Sequence, residues 1–310
     1  MRILVTGASG FVGANLVQAL LDRDHEVVAF SLDAVPRLPK KAIEVKGDTT
    51  DTPFLENLMH ERRIEAIWHG AAITAGPERE RREASRILEV NTLATIRALE
   101  AAARAGVRRF VYPSSSAVYG ETAFLGEGTV REDEPLRPLN LYGISKVAAE
   151  GAVLRLGPAL DVEVCAGRIN AVFGPWERDT GLRDTLSPHL QMAAMAHEGR
   201  EAVLAKGADR DWIYAPDVAQ AFVRMLEAPS LPPVAMNITQ GRLWPLAIMA
   251  EALADRLQGF RWRYGETNLG YGGPIDRPRR ALSGKRIQEL LGWSPAYSPE
   301  TACSDFARRL

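Results

Sequence analysis

The stretch "NLYGISKVAAE" (140–150) sets a phenol, Tyr142, four residues ahead of an ammonium, Lys146, at the start of an Ala-rich helical run. Residues four apart share one face of a helix, so the two side chains project together. A free tyrosine titrates near ~10 and is a poor base at neutral pH. An ammonium at ~4 Å, in an effective dielectric of ~20, favours the phenolate by ~4 kcal/mol before either group is desolvated. That brings the phenol into the range of proton transfer. The same spacing also fits a surface tyrosine beside a solvated lysine, so the pair alone decides nothing. A second segment, "VTGASGFVGANL" (5–16), places Gly7, Gly10 and Gly13 between an apolar run and a helical pattern. Glycines there allow a tight turn and close backbone approach. A helix N-terminus opening with Phe11 and Val12 can then face a pyrophosphate.

Elements able to hold these groups are visible along the first two-thirds of the chain. "RILVTG" (2–7), "HEVVAF" (25–30), "IEVKGD" (43–48), "IEAIWHGAA" (64–72), "VRRFVYPSSS" (107–116) and "VEVCAGRINAVFG" (162–174) read as strands. Between them, 13–24, 52–63 and 84–106 carry apolar residues at helical spacing. Gly106 stands as a natural C-terminal stop. "PERERREAS" (77–85) reads as a solvated helix face. Apolar strands alternating with helices predict a parallel sheet buried on both faces. After Gly174 the rhythm breaks; a strand entering a helix (210–228) and a further strand (234–239) follow. The expectation is an α/β, doubly wound parallel sheet over 1–174 and 208–240. A smaller α+β lobe for substrate takes 175–207 and 241–310.

At 310 residues the chain is long enough for a substantial core, and its formal net charge of −1 offers no basic footprint for nucleic acid or a membrane surface. Two cysteines, Cys165 and Cys303, support no disulfide framework and fit a reducing compartment. The histidines stand apart, without metal-ligand spacing. The first strand begins at Arg2, which leaves no room for a signal peptide, and no apolar run approaches the ~20 residues of a membrane span. A soluble, cytoplasmic protein is expected.

The order of the motifs narrows this further. "TGASGFVG", "GDTTD" (47–51), "HGAAITA" (69–75), "EVNTLATIRALEAA" (89–102), "PSSSAVYG" (113–120), "YGISK" (142–146), "GRINAVFGP" (167–175) and "RDWIYAPDVAQA" (210–221) follow one another across nearly the whole chain. In this the sequence resembles the extended short-chain dehydrogenase/reductases, the NAD-dependent epimerase/dehydratase family. The resemblance implies a Rossmann fold, a bound nicotinamide dinucleotide and a homodimer paired through helices 84–105 and 142–157. Tyr142 and Lys146 become the acid/base pair, with Lys146 also holding ribose hydroxyls. Ser115, four residues before Tyr119, becomes the catalytic serine, with Ser114 and Ser116 one-residue alternatives. Cofactor contacts are implied for Asp48 and Thr49 near the adenine, for Ala71, Ala72 and Ser114, and for Asn91 in support of the helix behind the site. Substrate contacts fall to Ser115, Ser116, Asn170 (read as the asparagine of "RxxNxxGP"), Arg210 (of "RDxIxxxD") and Arg277.

Three departures qualify the resemblance. Where NAD-binding members carry an acid at the end of the second strand, this chain has Ser31, with Asp33 two residues later. A serine there tilts the expectation toward NADP, with Arg37, Lys40 or Lys41 in reach of a 2′-phosphate; Asp33 reaching back through a longer turn is the alternative. The dehydratases' Asp-Glu pair is replaced by Ser116 and Ala117, which argues against water loss. The loop "WERDTGLRDTLSPHL" (176–190) is unlike that of familiar sugar-nucleotide epimerases. The leading expectation is a sugar or sugar-nucleotide 4-epimerase. The second is an NADP-dependent reductase or dehydrogenase of a smaller carbonyl, polyol or lactone; a non-catalytic dinucleotide sensor is disfavoured by the intact Tyr142 and Lys146.

Overall fold

The computed structural model describes residues 1–33, 41–181, 183–271 and 275–310. Arg37 and Lys40 therefore lie outside the described residues. Strands and helices alternate as β1 (Arg2–Thr6), α1 (Phe11–Leu21), β2 (Glu26–Ser31), β3 (Ile43–Lys46), α2 (Thr52–Glu61) and β4 (Ala66–His69). Next come α3 (Pro77–Leu88), α4 (Ala94–Arg104), β5 (Arg109–Ser115), α5 (Leu141–Ala159) and β6 (Glu163–Ile169). The remainder comprises β7 (Ala171–Phe173), α6 (Pro188–His197), β8 (Ala202–Leu204), β9 (Trp212–Tyr214), α7 (Ala215–Glu227) and β10 (Ala235–Ile238). It ends with α8 (Ala247–Arg256), β11 (Trp262–Tyr264), α9 (Lys285–Leu291) and α10 (Pro299–Arg309).

Seven strands form one parallel sheet in the order β10-β6-β5-β4-β1-β2-β3. Successive side chains of a strand point to opposite faces, and here both faces are apolar. Ile3, Val5, Val27 and Ala29 pack against Leu16, Leu20, Phe222 and Leu226 of α1 and α7. Leu4, Val28 and Phe30 pack instead with Leu55, Leu99 and Val153 of α2, α4 and α5. Burying each such side chain contributes ~1.5–3 kcal/mol, which makes the doubly wound arrangement the stable one for this alternation. The strand order reverses between β1 and β4, where Thr6 pairs with His69. Open sheets bind ligands in the crevice at such a switch point, beyond the strands' carboxyl ends.

The expected strand over 162–174 is broken. β6 ends at Ile169, and β7 leaves the sheet to pair with β9 in a separate two-stranded ribbon. Asn170 marks the break: its N–H still donates to Ile238 (3.1 Å), while its side chain hydrogen-bonds the buried Asp211 carboxyl. The charged segment expected as a solvated helix face forms α3 from Pro77 and runs on into the helix expected from 84. It bends at Glu83 (φ −130°, ψ 27°) and widens by one residue over Glu89–Leu93 before α4. A third core, built from Phe173, Met192, Trp212, Trp244, Met249 and Phe306, lies among β7, β9, α6, α8 and α10. Asp211 ties this part to the sheet: it accepts from the Thr239 hydroxyl and from the N–H groups of Gln240 (3.1 Å), Gly241 (3.2 Å) and Leu282 (2.9 Å).

Candidate active site

The glycine loop follows β1 into the switch-point crevice. Gly7 adopts φ +67°, and a Cβ there would stand 2.9 Å from the Ala71 nitrogen. A Cβ on Gly13 would come within 2.3 Å of the Gly7 carbonyl oxygen. Neither site tolerates a side chain, so the loop lies flat between β1 and the segment after β4. Gly10 caps α1 without a side-chain hydrogen bond, and no acid lies in the first turn. The first N–H groups of α1, those of Phe11, Val12 and Gly13, are thus left for an anion, which is the site a dinucleotide pyrophosphate fits. Ala71 donates to the Thr6 hydroxyl (3.3 Å), and both Ala71 and Ala72 line the loop's far side half-buried.

Other expected cofactor residues divide. Asp48 accepts from the Thr50 N–H (2.9 Å) and from Arg86 (3.0 Å), a partner the sequence did not suggest. Burial raises its pKa, but the hydrogen bonds from Thr50 and Arg86 outweigh that and hold it below the usual carboxylate range. Thr49 is buried beside it. The Ser31 hydroxyl turns inward and donates to the Asp33 carbonyl (2.7 Å). Asn91 is spent on the protein. It bonds both the N–H (2.8 Å) and the carbonyl (2.9 Å) of Ile73 and donates to Ser145 (3.1 Å). It fixes the post-β4 segment against α5, in keeping with the support expected for the helix behind the site.

At the carboxyl ends of β4 and β5 the catalytic candidates converge. Asn140 caps α5, its side chain accepting the Gly143 N–H (2.8 Å), so Tyr142 and Lys146 occupy the first turns. The hydroxyls of Ser115 and Thr74 stand beside the Tyr142 phenol and favour its ionised form. Of the three serines, Ser115 alone meets it: Ser114 is buried with no partner for its hydroxyl, and Ser116 opens a short buried turn. The Tyr119 hydroxyl of "VYG" donates to Asn237 (2.7 Å) and accepts from Arg168 (2.8 Å), anchoring the serine turn from behind. Thr74 was missed in the sequence, although it stands inside the "HGAAITA" segment.

Lys146 departs from expectation. Its ammonium donates to the Pro113 carbonyl (2.8 Å) and lies 4.7 Å from the Tyr112 ring centroid but 5.8 Å from that of Tyr142. Burial lowers its pKa to about 7, against the pull of Glu150 one turn on. The phenol of Tyr142 is raised by burial, partly offset by its hydrogen bonds from Ser115 and Thr74 and by the charge of Arg183. The pair foreseen in Tyr142 and Lys146 thus has its ammonium on a backbone carbonyl, 5.8 Å from the centre of the phenol ring. Arg183 is a second residue the sequence did not single out.

On the substrate side, Arg210 is buried, its backbone paired with Trp244 (N–H to carbonyl 3.3 and 2.9 Å). Burial lowers its pKa, against Tyr271. Burial foremost, and then the charge of Arg210, bring Arg279 down to about 10. Arg277 instead faces outward and pairs with Glu121 at 2.6 Å. Asn170 stands two residues after Arg168 where the motif requires three, and its side chain is committed to Asp211. Next to Arg210, Ala205, Lys206, Pro245, Tyr264 and Tyr271 line a pocket of about 200 Å³. Among the described residues no cluster of His, Cys, Asp or Glu is arranged to hold a metal, and no helix is long and apolar enough to cross a membrane.

Comparison with known proteins agrees with this geometry. The chain is 30% identical over 307 residues to UDP-glucose 4-epimerase of Mycolicibacterium smegmatis, covering 95% of this chain and 94% of that one. It is 29% identical over 319 residues to UDP-glucose 4-epimerase of Azospirillum brasilense, covering 96% and 88%. The solved structure of Thermus thermophilus UDP-glucose 4-epimerase in complex with NAD superposes with a TM-score of 0.82 at 26% identity, over 99% of this chain and 98% of that one. Residues 3–239 match the family model described as NAD dependent epimerase/dehydratase. With the glycine loop, the Tyr142–Ser115 contact and the sheet order all in place, the chain belongs to the NAD dependent epimerase/dehydratase family.

Proposed function

We propose that this protein is an NAD-dependent sugar-nucleotide 4-epimerase. The observation that carries the reading is the meeting of the Tyr142 phenol with the Ser115 hydroxyl beside a glycine loop shaped for a dinucleotide. When bound, NAD supplies a hydride acceptor that later returns the hydride. Tyr142 takes the proton from the C4 hydroxyl of the sugar, and Ser115 hydrogen-bonds the same oxygen as it becomes a carbonyl. Once the keto sugar has turned in the pocket, Tyr142 would return the proton to the same oxygen, and Ser115 would hold that oxygen throughout. The sheet part holds the dinucleotide, and the lobe of 175–207 and 241–310 holds the sugar nucleotide. Arg210 and Arg279 are adjacent cations suited to a diphosphate, and the neighbouring pocket between Tyr264 and Tyr271 suits a flat base. NAD, not NADP, fits the family and the turn in which the Ser31 hydroxyl holds the Asp33 carbonyl, with Asp33 in the acid's role. Asp48 and Thr49 take the adenine end, Ala71 and Ala72 the middle, and Lys146 the ribose. Two copies pair through α3, α4 and α5, where Leu88, Leu93 and Ile144 are exposed apolar residues. Both cysteines are free and buried, which suits the cytoplasm.

The test is a spectrum and a stoichiometry. The purified protein is scanned for retained nicotinamide, then given UDP-glucose. Formation of the C4 epimer with retained cofactor and no net NADH supports the reading. Freely exchanging cofactor with one substrate oxidised or one ketone reduced per dinucleotide overturns it in favour of a reductase.

A further inference from the structure

Lys146 is a cation shut inside the protein, 4% exposed, and no carboxylate answers it. An ammonium carries three donors; one of them is spent on the Pro113 carbonyl at 2.8 Å. Among the described residues no Asp or Glu forms an ion pair with it. Glu150, the acid one turn further along α5, is bonded to Arg168 instead, at 2.6–3.2 Å. What else meets the ammonium is aromatic: the ring centroid of Tyr112 lies 4.7 Å away and that of Tyr142 5.8 Å away. Tyr112 and Pro113 are neighbours on β5, so one stretch of strand supplies both the carbonyl and the nearer ring. A buried ammonium without a counter-ion is costly. A ring face attracts it through its negative quadrupole, most strongly where water is excluded. Tyr112 is itself 1% exposed, packed with Ala149, Val153 and Ala166, and its hydroxyl has no partner. Burial foremost, and then the charges of Tyr142 and Glu150, hold that phenol protonated, so it offers Lys146 a face and not a charge.

We propose that Tyr112 is a positioning residue for Lys146: its ring face, with the neighbouring Pro113 carbonyl, forms the seat that keeps the ammonium charged beside Tyr142. The inference rests on the function proposed above only in giving that charge its use. The titratable and charged groups around Lys146 are Tyr142 and Glu150 on its own helix, Tyr112 from β5, His69 from β4, and Arg168 from β6, which holds Glu150. His69 is neutral throughout the range of the reaction, since burial foremost, and then the charge of Lys146, bring it to about 3. A guanidinium stays protonated, so Arg168 stays charged and paired with Glu150. Burial brings Lys146 to about 7, against the pull of Glu150. A group poised there is charged or neutral at physiological pH according to small attractions. The ring favours the charged form, so its removal lets Lys146 lose its proton at a lower pH.

The experiment follows the titration of Lys146 itself. Wild type, Tyr112→Phe and Tyr112→Leu, labelled with carbon-13 at lysine Cε and brought to one dinucleotide state, are titrated by NMR from pH 5 to pH 10; Lys146→Arg identifies the resonance by its absence. Tyr112→Phe keeps the ring face and is expected to titrate within about 0.3 unit of wild type. Tyr112→Leu keeps an apolar side chain without a ring and is expected to titrate about one unit lower. In the epimerisation of UDP-glucose, the limb of the kcat–pH profile at which Lys146 loses its proton moves down by the same amount, which a merely structural loss would not do. A Lys146 titration left in place by Tyr112→Leu overturns the inference. So does a Tyr112→Phe displaced as far as Tyr112→Leu, since the hydroxyl and not the ring would then hold the charge. If Tyr112→Leu does not fold, trifluorophenylalanine at position 112 keeps the ring's shape and strips its negative face; a titration unmoved by that replacement overturns the inference as well. Wild type that fails to epimerise UDP-glucose removes the proposed function instead, and the NMR titration still decides the role of Tyr112.

Discussion

At Tyr142 the hydroxyls of Ser115 and Thr74 stand beside one phenol, and each neighbour answers to a different measurement. Replacing the phenol by phenyl removes the only group placed to carry the C4 proton. Tyr142→Phe is expected to lower kcat at least about 10³-fold and to leave NAD affinity within about threefold, measured by fluorescence titration beside steady-state rates. Ser115→Ala loses one hydrogen bond to the same oxygen and is expected to cost about 10–100-fold in kcat; Ser114→Ala and Ser116→Ala, whose hydroxyls do not touch the phenol, should stay within about threefold. The triple serine could not be resolved by counting alone, because a one-residue slip changes nothing in a local pattern. Alternate residues of a strand face opposite sides, so Ser114 and Ser115, the last two residues of β5, point different ways. Arg277 was named on local sequence alone: in "DRPRR" every arginine is chemically equal, and only the fold sends Arg277 outward to Glu121 while Arg279 feels the charge of Arg210. Thr74 and Arg183 meet through a bridge between segments 109 residues apart, which no local spacing can announce.

The elements that hold these residues were largely readable, and the exceptions have causes. Apolar runs for β1, β2, β4, β5 and β6 reflect burial on both faces, which leaves few polar positions to confuse the pattern. The glycine loop was legible because φ and close approach demand glycine there. Gly13→Ala puts a methyl 2.3 Å from the Gly7 carbonyl, a contact with backbone that no rotamer relieves. It should weaken NAD binding at least about tenfold, read by calorimetry, with a thermal midpoint lower than wild type. Less legible was the widened turn at Glu89–Leu93. That turn rotates Asn91 inward, where it spans Ile73 and Ser145; periodicity at 3.6 residues cannot show an inserted residue. The break after Ile169 was also missed, because β6 and β7 together read as one apolar run and the polarity of Asn170 is answered by Asp211, 41 residues away.

Across the whole molecule, the sheet and the third core are joined by buried acids whose ionisation sets a pH dependence. Burial pushes Asp211 up to about 6, against its hydrogen bonds from Thr239 and Leu282, and pushes Asp217 up to about 6, against those from Ala296 and Tyr297. A carboxyl in the unfolded chain titrates near ~3.9, so the folded state binds these protons more tightly. The stabilisation is complete below ~4 and is lost as pH rises through ~6, where it levels off. Asp211→Asn should roughly halve that slope between pH 4 and pH 6 and lower stability by ~1–3 kcal/mol through the weakened acceptor, both measured by urea unfolding. If α3–α5 pair two copies, Leu93→Glu with Ile144→Glu should shift the species seen by light scattering from dimer to monomer. The central claim, that hydride leaves C4 and returns to the same carbon while Tyr142 carries the proton, is tested most directly with UDP-glucose bearing deuterium at C4. The account predicts a C4 epimer that keeps its deuterium at C4 and forms with a primary isotope effect; a product whose C4 deuterium has been exchanged for solvent hydrogen would contradict it.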